Sequence, residues 1–126
     1  MKRDCRGAAD LTLRISPKLA DKRFPPEAEI ALFRISQEAT SNAIRHSAAT
    51  QIEISLQLYR ENLTLKVRDN GRGFEPHHAK GDGMGMHTMR ERARAVGAKL
   101  DIDSKPGKTV LKVVLALNRM PRNCKR

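Results

Sequence analysis

Between residues 52 and 67 apolar and polar side chains alternate twice. Ile52, Ile54, Leu56 and Leu58 make one row, a turn passes through Arg60-Glu61-Asn62, and Leu63, Leu65 and Val67 make the second. A period of two puts alternate residues on opposite faces of a strand. The stretch is therefore an antiparallel hairpin with one apolar face. A lone hairpin is marginal in water, so that face has to be covered by other parts of the chain.

Two helical segments are available to cover it. Pro17 and Phe24-Pro25-Pro26 break the chain after a short alternating strand at 11–15 (LTLRI), and Glu27 to about Ser47 reads as a long helix. Glu27 and Glu29 fall in its first turn and Arg45 and His46 in its last, as the helix dipole favours. After Asp69 the chain loses periodicity until about Met84, which reads as a long loop. A second helix runs from about Met86 to Val96 and ends at Gly97, a C-terminal cap. Leu100 and Ile102 suggest a strand, Pro106-Gly107 a turn, and Val110–Leu117 a last strand, apolar at nearly every position and hence central or well covered. The order β-α-β-β-loop-α-β-β predicts an α+β fold: a two-layer sandwich with helices on one face of a mixed, mostly antiparallel sheet.

At 126 residues the chain fits one domain with a real core. No apolar run approaches the ~20 residues that span a bilayer, and MKRDCRGAAD at the start lacks the apolar stretch of a signal peptide. Cys5 and Cys124 sit at opposite ends, which argues against a disulfide framework or a CxxC metal knuckle. A cytoplasmic protein is the expectation. The formal charge of +11 is concentrated at the ends: without residues 1–6 and 119–126 the body carries 18 basic and 13 acidic residues. Residues 1–10 and 118–126 are accordingly read as basic tails around a domain at 11–117. With one Tyr, three Phe and no Trp, the stacking side chains of single-strand nucleic-acid binders are scarce.

Three places carry chemistry. On a helical wheel with Ile35 at zero, Ala28, Ala31, Leu32, Ala39 and Ala43 define one apolar face, and Glu38, Asn42 and His46 fall in its middle or at its shoulder. Polar groups there cost free energy unless something bonds or ligates them. An amide bonded to a backbone carbonyl, a glutamate reaching solvent and a helix-end histidine explain them equally well. Phe33 and Ile44 form a second apolar patch on the other side. The second place is the hairpin's exit, where Asp69 shares the parity of Leu63, Leu65 and Val67 and so faces the core. It is followed by Asn70-Gly71-Arg72-Gly73-Phe74, whose glycines allow a ligand close to the backbone. The third is Gly81-Asp82-Gly83-Met84-Gly85, before a helix start whose free N–H groups favour phosphate. It is not a GxGxxG turn, because the third glycine would fall on Met86 or Thr88. Nor is Gly107-Lys108-Thr109 a P-loop, since the first glycine would fall on Ile102.

In this order and spacing, EIALFRISQEATSNAIRHS (29–47), DNGRGF (69–74) and GDGMGMHTMRERA (81–93) resemble the N, G1 and G2 boxes of a histidine-kinase ATP-binding domain. The nitrate-sensor (NarX/DegS-like) subfamily, which works with LuxR/NarL-type response regulators, is the most similar. LDIDSKPGKTVLKVVLAL (100–117) resembles that family's closing hairpin, so the likeness spans about residues 11–117. It implies the Bergerat α/β sandwich of gyrase, Hsp90 and MutL, and Mg²⁺ and ATP as ligands. It places Asn42 on the Mg²⁺-binding asparagine and Glu38 on the glutamate that contacts the metal's water or orients the acceptor, the two catalytic candidates. His46 falls at the polar end of the same box, near the phosphates. Asp69 matches the acceptor of the adenine amino group, flanked by Gly71 and Gly73. Gly83, Met84, Gly85 and Met86 belong to the phosphate lid, Thr109 lies below the adenine, and Lys80 and Arg72 are candidate phosphate contacts.

Some positions depart from the pattern. Thr88 replaces a common lid-helix glycine, Met84 and Met86 stand where leucine is usual, and the turn PGKT is one residue shorter than PGxGT. The resemblance implies transfer of the γ-phosphate to a histidine on a separate dimerisation domain, in the same or a partner chain. None of His46, His77, His78 and His87 looks like that acceptor. The chain is expected to be a catalytic fragment of a longer sensor, such as the cytoplasmic portion of a membrane-bound one, or a standalone module. Direct nucleic-acid binding is not expected. The alternatives are an anti-sigma-type serine kinase on the same fold and a non-catalytic basic module for nucleic acid. His77-His78 reads as solvated, Met84, Met86 and Met89 as packing, and Arg90, Arg92 and Arg94 as a solvated helix face.

Overall fold

In a computed structural model, residues 9–20, 22–73 and 83–117 are described. The two tails and residues 74–82 lie outside this set, among them Cys5, Phe74, His77, His78, Lys80, Gly81 and Cys124. The elements in chain order are β1 (Asp10–Ile15), a 3₁₀ turn (Pro17–Leu19), α1 (Pro26–Ser47), β2 (Gln51–Tyr59), β3 (Asn62–Asp69), α2 (Gly83–Ala95), β4 (Lys99–Lys105) and β5 (Lys108–Ala116). One five-stranded sheet runs β1-β2-β3-β5-β4. Only β1 and β2 are parallel; the other neighbours are antiparallel. The expected mixed, mostly antiparallel sheet is present, and β5 lies inside it between β3 and β4, well covered as its composition suggested.

Each element follows from local chemistry. α1 opens on Pro26, whose fixed φ suits the first turn, and it closes on Ala48 in the left-handed region, where the Ala49 N–H donates to Ala43 O at 3.0 Å. The Ile35 face turns inward: Ala28, Ala31, Leu32, Ile35, Ala39 and Ala43 are buried, whereas Phe33 and Ile44 stay exposed. Against that face pack Ile52 of β2, Leu63, Leu65 and Val67 of β3, Leu111, Val113 and Leu115 of β5 and Met89 and Ala93 of α2. α2 ends at Gly97, with φ 75° and the Ala98 N–H donating to Ala93 O at 2.8 Å.

The structure corrects one boundary. α2 starts at Gly83 and not near Met86. Two glycines in its first turn oppose helix by roughly 1 kcal/mol each relative to alanine, so periodicity fades before the helix does. Among the described residues no helix is long and apolar enough to cross a membrane.

Candidate functional site

β3 pairs with β5 in a register that sets Asp69 opposite Thr109. Both point toward the helices and both are buried, at 7% and 6% exposure. Above them, α1 and α2 leave a narrow cleft lined by Asn42 and Ser47 of α1, Met89 of α2, Asp69 and Thr109, with Val67, Ile102 and Leu111 as apolar wall. Its free volume is about 20 Å³, room for about one water.

Among the described residues Asp69 is the one carboxylate in this apolar wall. Its Oδ1 accepts a hydrogen bond from the Gly71 N–H at 2.8 Å. Burial pushes its pKa above the ordinary value, and the Gly71 N–H partly offsets this by favouring the charged form. Thr109 is fixed differently: its hydroxyl shares a 2.7 Å hydrogen bond with the Ser104 hydroxyl across the β4–β5 pair.

The segment after Asp69 is a close-packed corner. A Cβ at Gly71 would lie 2.5 Å from both Ser47 Cβ and Ser47 O, so only glycine fits. The Arg72 N–H donates to Ser47 O at 2.9 Å, and Gly71 O accepts from the Gly107 N–H at 2.8 Å. Gly73, at φ 81°, lies against Ser104 and the Lys105 carbonyl. The end of α1, the corner 69–73 and the β4–β5 turn are thus held together through backbone. Asn70 serves β2: its Oδ1 accepts from the Thr50 and Gln51 N–H groups at 2.9 and 3.0 Å.

Of the residues singled out from sequence, Asn42, Asp69 and Thr109 meet in one cleft, with Gly71 and Gly73 building its corner. Glu38 and His46 lie about one helical turn to either side of Asn42 on α1, both half-buried. Gly83, Met84, Gly85 and Met86 form the start of α2. Arg72 is exposed. Met89 is buried as packing, and His87 is exposed on α2. Arg94 pairs with Glu91 at 3.1 Å. Ser47, 2% exposed, and Ser104 escaped the sequence reading. Ser47 had a weak signal in its place four residues after Ala43 on the apolar face.

Among the described residues a larger depression, about 510 Å³, lies on the opposite, open face of the sheet over Asp10, Arg14, Glu53, Arg68 and Lys108. Glu53 there pairs with Arg14 and, at 2.9 Å, with Arg68. It is a wet, charged surface, and the apolar cleft with the buried Asp69 is the better ligand site.

Comparison with known proteins agrees with this geometry. Residues 27–119 match the family described as Histidine kinase-, DNA gyrase B-, and HSP90-like ATPase. The chain is 38% identical over 90 residues to the signal transduction histidine-protein kinase/phosphatase DegS of Bacillus subtilis, covering 69% of this chain and 23% of that protein. It is 37% identical over 112 residues to the sensor protein VraS of Staphylococcus haemolyticus, covering 88% of this chain and 32% of that one. Among solved structures, the histidine kinase domain of the Erythrobacter litoralis EL346 blue-light activated histidine kinase superposes with a TM-score of 0.76 at 19% identity, over 90% of this chain and 54% of that one. The chain therefore spans a third or less of these two curated relatives. It belongs to the histidine kinase-, gyrase B- and HSP90-like ATPase family, and is the type of ATPase domain that sensor histidine kinases carry.

Proposed function

From that membership we propose that the chain binds Mg-ATP in the α1–α2 cleft and presents the γ-phosphate to a histidine on a separate dimerisation domain. The observation that carries the reading is a buried carboxylate, Asp69, facing an apolar cleft beside the fixed hydroxyl of Thr109. An acid so placed is costly unless it has a partner, and the exocyclic amino group of adenine is a donor of the right kind. In the cleft as it stands there is room for about one water, so base binding requires α2, with Met89, to move outward from the sheet. Such gating is common where a site must exclude water during transfer.

Mg²⁺ fits the residues present. Asn42 and Glu38 offer hard oxygen donors one helical turn apart on α1, and Mg²⁺ is commonly held by one or two protein oxygens plus phosphates and water. When bound, the ion would neutralise phosphate charge. Around it, His46, Lys80, Arg72 and the lid residues Gly83, Met84, Gly85 and Met86 are assigned to the phosphates. The chain's own contribution would be positioning and electrostatics, because phosphoryl transfer asks little covalent chemistry of the protein. The acceptor histidine, a LuxR/NarL-type response regulator as downstream partner and a cytoplasmic location complete the proposal. A serine acceptor would keep the same nucleotide site.

The test is a calorimetric titration with a non-hydrolysable ATP analogue, with and without Mg²⁺. One-to-one binding that strengthens with Mg²⁺ is expected. Asn42→Ala should remove most of the Mg²⁺ effect while leaving metal-free binding nearly intact. Unchanged Mg²⁺ dependence in that variant would refute the assignment of Asn42.

A further inference from the structure

The two edges of the sheet are built differently. β4 carries Lys99, Asp101, Asp103 and Lys105 along its length, the kind of charge that keeps an edge strand from pairing. β1, at the other edge, carries Leu11, Leu13 and Ile15, exposed at 57%, 62% and 53%. These three lie in register with Ile52, Ile54 and Leu56 of β2. Beside them runs a groove lined by Leu11, Ile54, Phe33 and Ile44, so the second apolar patch of α1 continues onto the strand. Among the described residues no strand pairs with the outer edge of β1.

The backbone phase is fixed. The Asp10 N–H donates to Thr50 O at 2.8 Å and the Ser16 N–H to Leu56 O at 3.0 Å. In a parallel ladder successive residues bond to opposite sides. The even-numbered residues therefore serve β2, and the N–H and C=O groups of Leu11, Leu13 and Ile15 point outward from the edge.

We propose that β1 pairs antiparallel with β1 of a second copy of this chain, about a two-fold axis through Thr12. The outward groups belong to odd-numbered residues, so only registers that set odd opposite odd can form. In the register centred on Thr12, Leu11 faces Leu13 of the partner subunit and each such pair exchanges two backbone hydrogen bonds. Asp10 then faces Arg14 of the partner subunit in the closer, non-hydrogen-bonded position. Centring on Leu11 sets Asp10 opposite a threonine, and centring on Leu13 sets Arg14 opposite a threonine; both leave the charges unmatched. The run Asp10-Leu11-Thr12-Leu13-Arg14 is thus self-complementary in one register. On the open face Arg14 already pairs with Glu53, which it shares with Arg68, and the partner's Asp10 would give Arg14 a second acid. A two-fold interface needs a patch complementary to itself, and this strand supplies one in hydrogen bonding, apolar contact and charge. The inference stands apart from the nucleotide site and does not depend on it.

Sedimentation of the 126-residue chain over a dilution series tests it. A reversible dimer is expected. Arg14→Asp should raise its dissociation constant about tenfold or more. The double variant Asp10→Arg/Arg14→Asp should restore it to within about threefold of the parent, since the charges face each other again. Leu13→Lys, at an exposed position, should abolish pairing with the monomer still folded by circular dichroism. A monomer at every concentration overturns the proposal. So does a dimer indifferent to Leu13→Lys, which would mean another surface, or a double variant that folds and fails to re-associate.

Discussion

Asp69→Asn separates the stability of the domain from its binding. The carboxylate is 7% exposed and accepts one intramolecular hydrogen bond, from the Gly71 N–H at 2.8 Å. Asparagine keeps an acceptor for that N–H and removes the buried charge. Because burial raises the pKa of Asp69 above 3.8, the native state holds an extra proton between that value and the raised one. Stability therefore falls as pH rises through that window, and at neutral pH the charged carboxylate is a net cost. The variant should be as stable as the parent at neutral pH, or more so, and should lose that segment of the pH dependence. Binding should move the other way. A hydrogen bond to a charged acceptor contributes about 1.5–3 kcal/mol, so analogue affinity should fall about 10- to 150-fold. Urea denaturation at several pH values and calorimetric titration read the two effects. If Asp69→Asn bound as tightly as the parent, the aspartate would not be the base acceptor. If it lost more than about 1 kcal/mol at neutral pH, the burial argument would be wrong.

Gly71→Ala places a Cβ 2.5 Å from Ser47 Cβ and its carbonyl oxygen, neither of which can yield cheaply. It should lose about 2–4 kcal/mol by urea denaturation, from overpacking and the strained hydrogen bonds of the corner. Gly97→Ala meets nothing within 4 Å and suffers only its positive φ, so about 1–2 kcal/mol is expected. Equal losses would refute the close-approach reading of Gly71. Ser104→Ala removes the partner of the Thr109 hydroxyl. It should weaken analogue binding about three- to tenfold with at most ~1.5 kcal/mol lost in stability, and unchanged affinity would mean that Thr109 needs no orienting.

Much of this was legible in the sequence because it rests on periodicity. The alternation through Val67 fixes the parity of Asp69, and the structure buries Asp69 with Leu63, Leu65 and Val67. The Ile35 wheel names the buried face of α1 and leaves Phe33 and Ile44 outside it. What stayed hidden depends on which strands become neighbours. Ser104 reads as an ordinary polar residue of β4 until the β4–β5 register sets it opposite Thr109. Ser47 reads as a helix end until Gly71 packs against its backbone.

The same distinction explains which half of the site tolerates departures from the family's motifs. The proposed base half, around Asp69, is held by backbone. Ser47 O receives the Arg72 N–H, and Gly71 O receives the Gly107 N–H. Asp69 faces Thr109 through the β3–β5 register. With the turn PGKT, Thr109 lies opposite Asp69 in the β3–β5 register and opposite Ser104 in the β4–β5 register. The proposed phosphate half rests on α2, whose first turn has two glycines and which packs on α1 through side chains such as Met89 and Ala93. Adenine recognition is therefore expected to survive changes at positions 84, 86 and 88, which should act on phosphate placement. A variant such as Thr88→Gly should change the Mg²⁺-dependent part of analogue affinity and leave adenosine binding unaltered. A comparable loss for adenosine would show that the two halves are not independent.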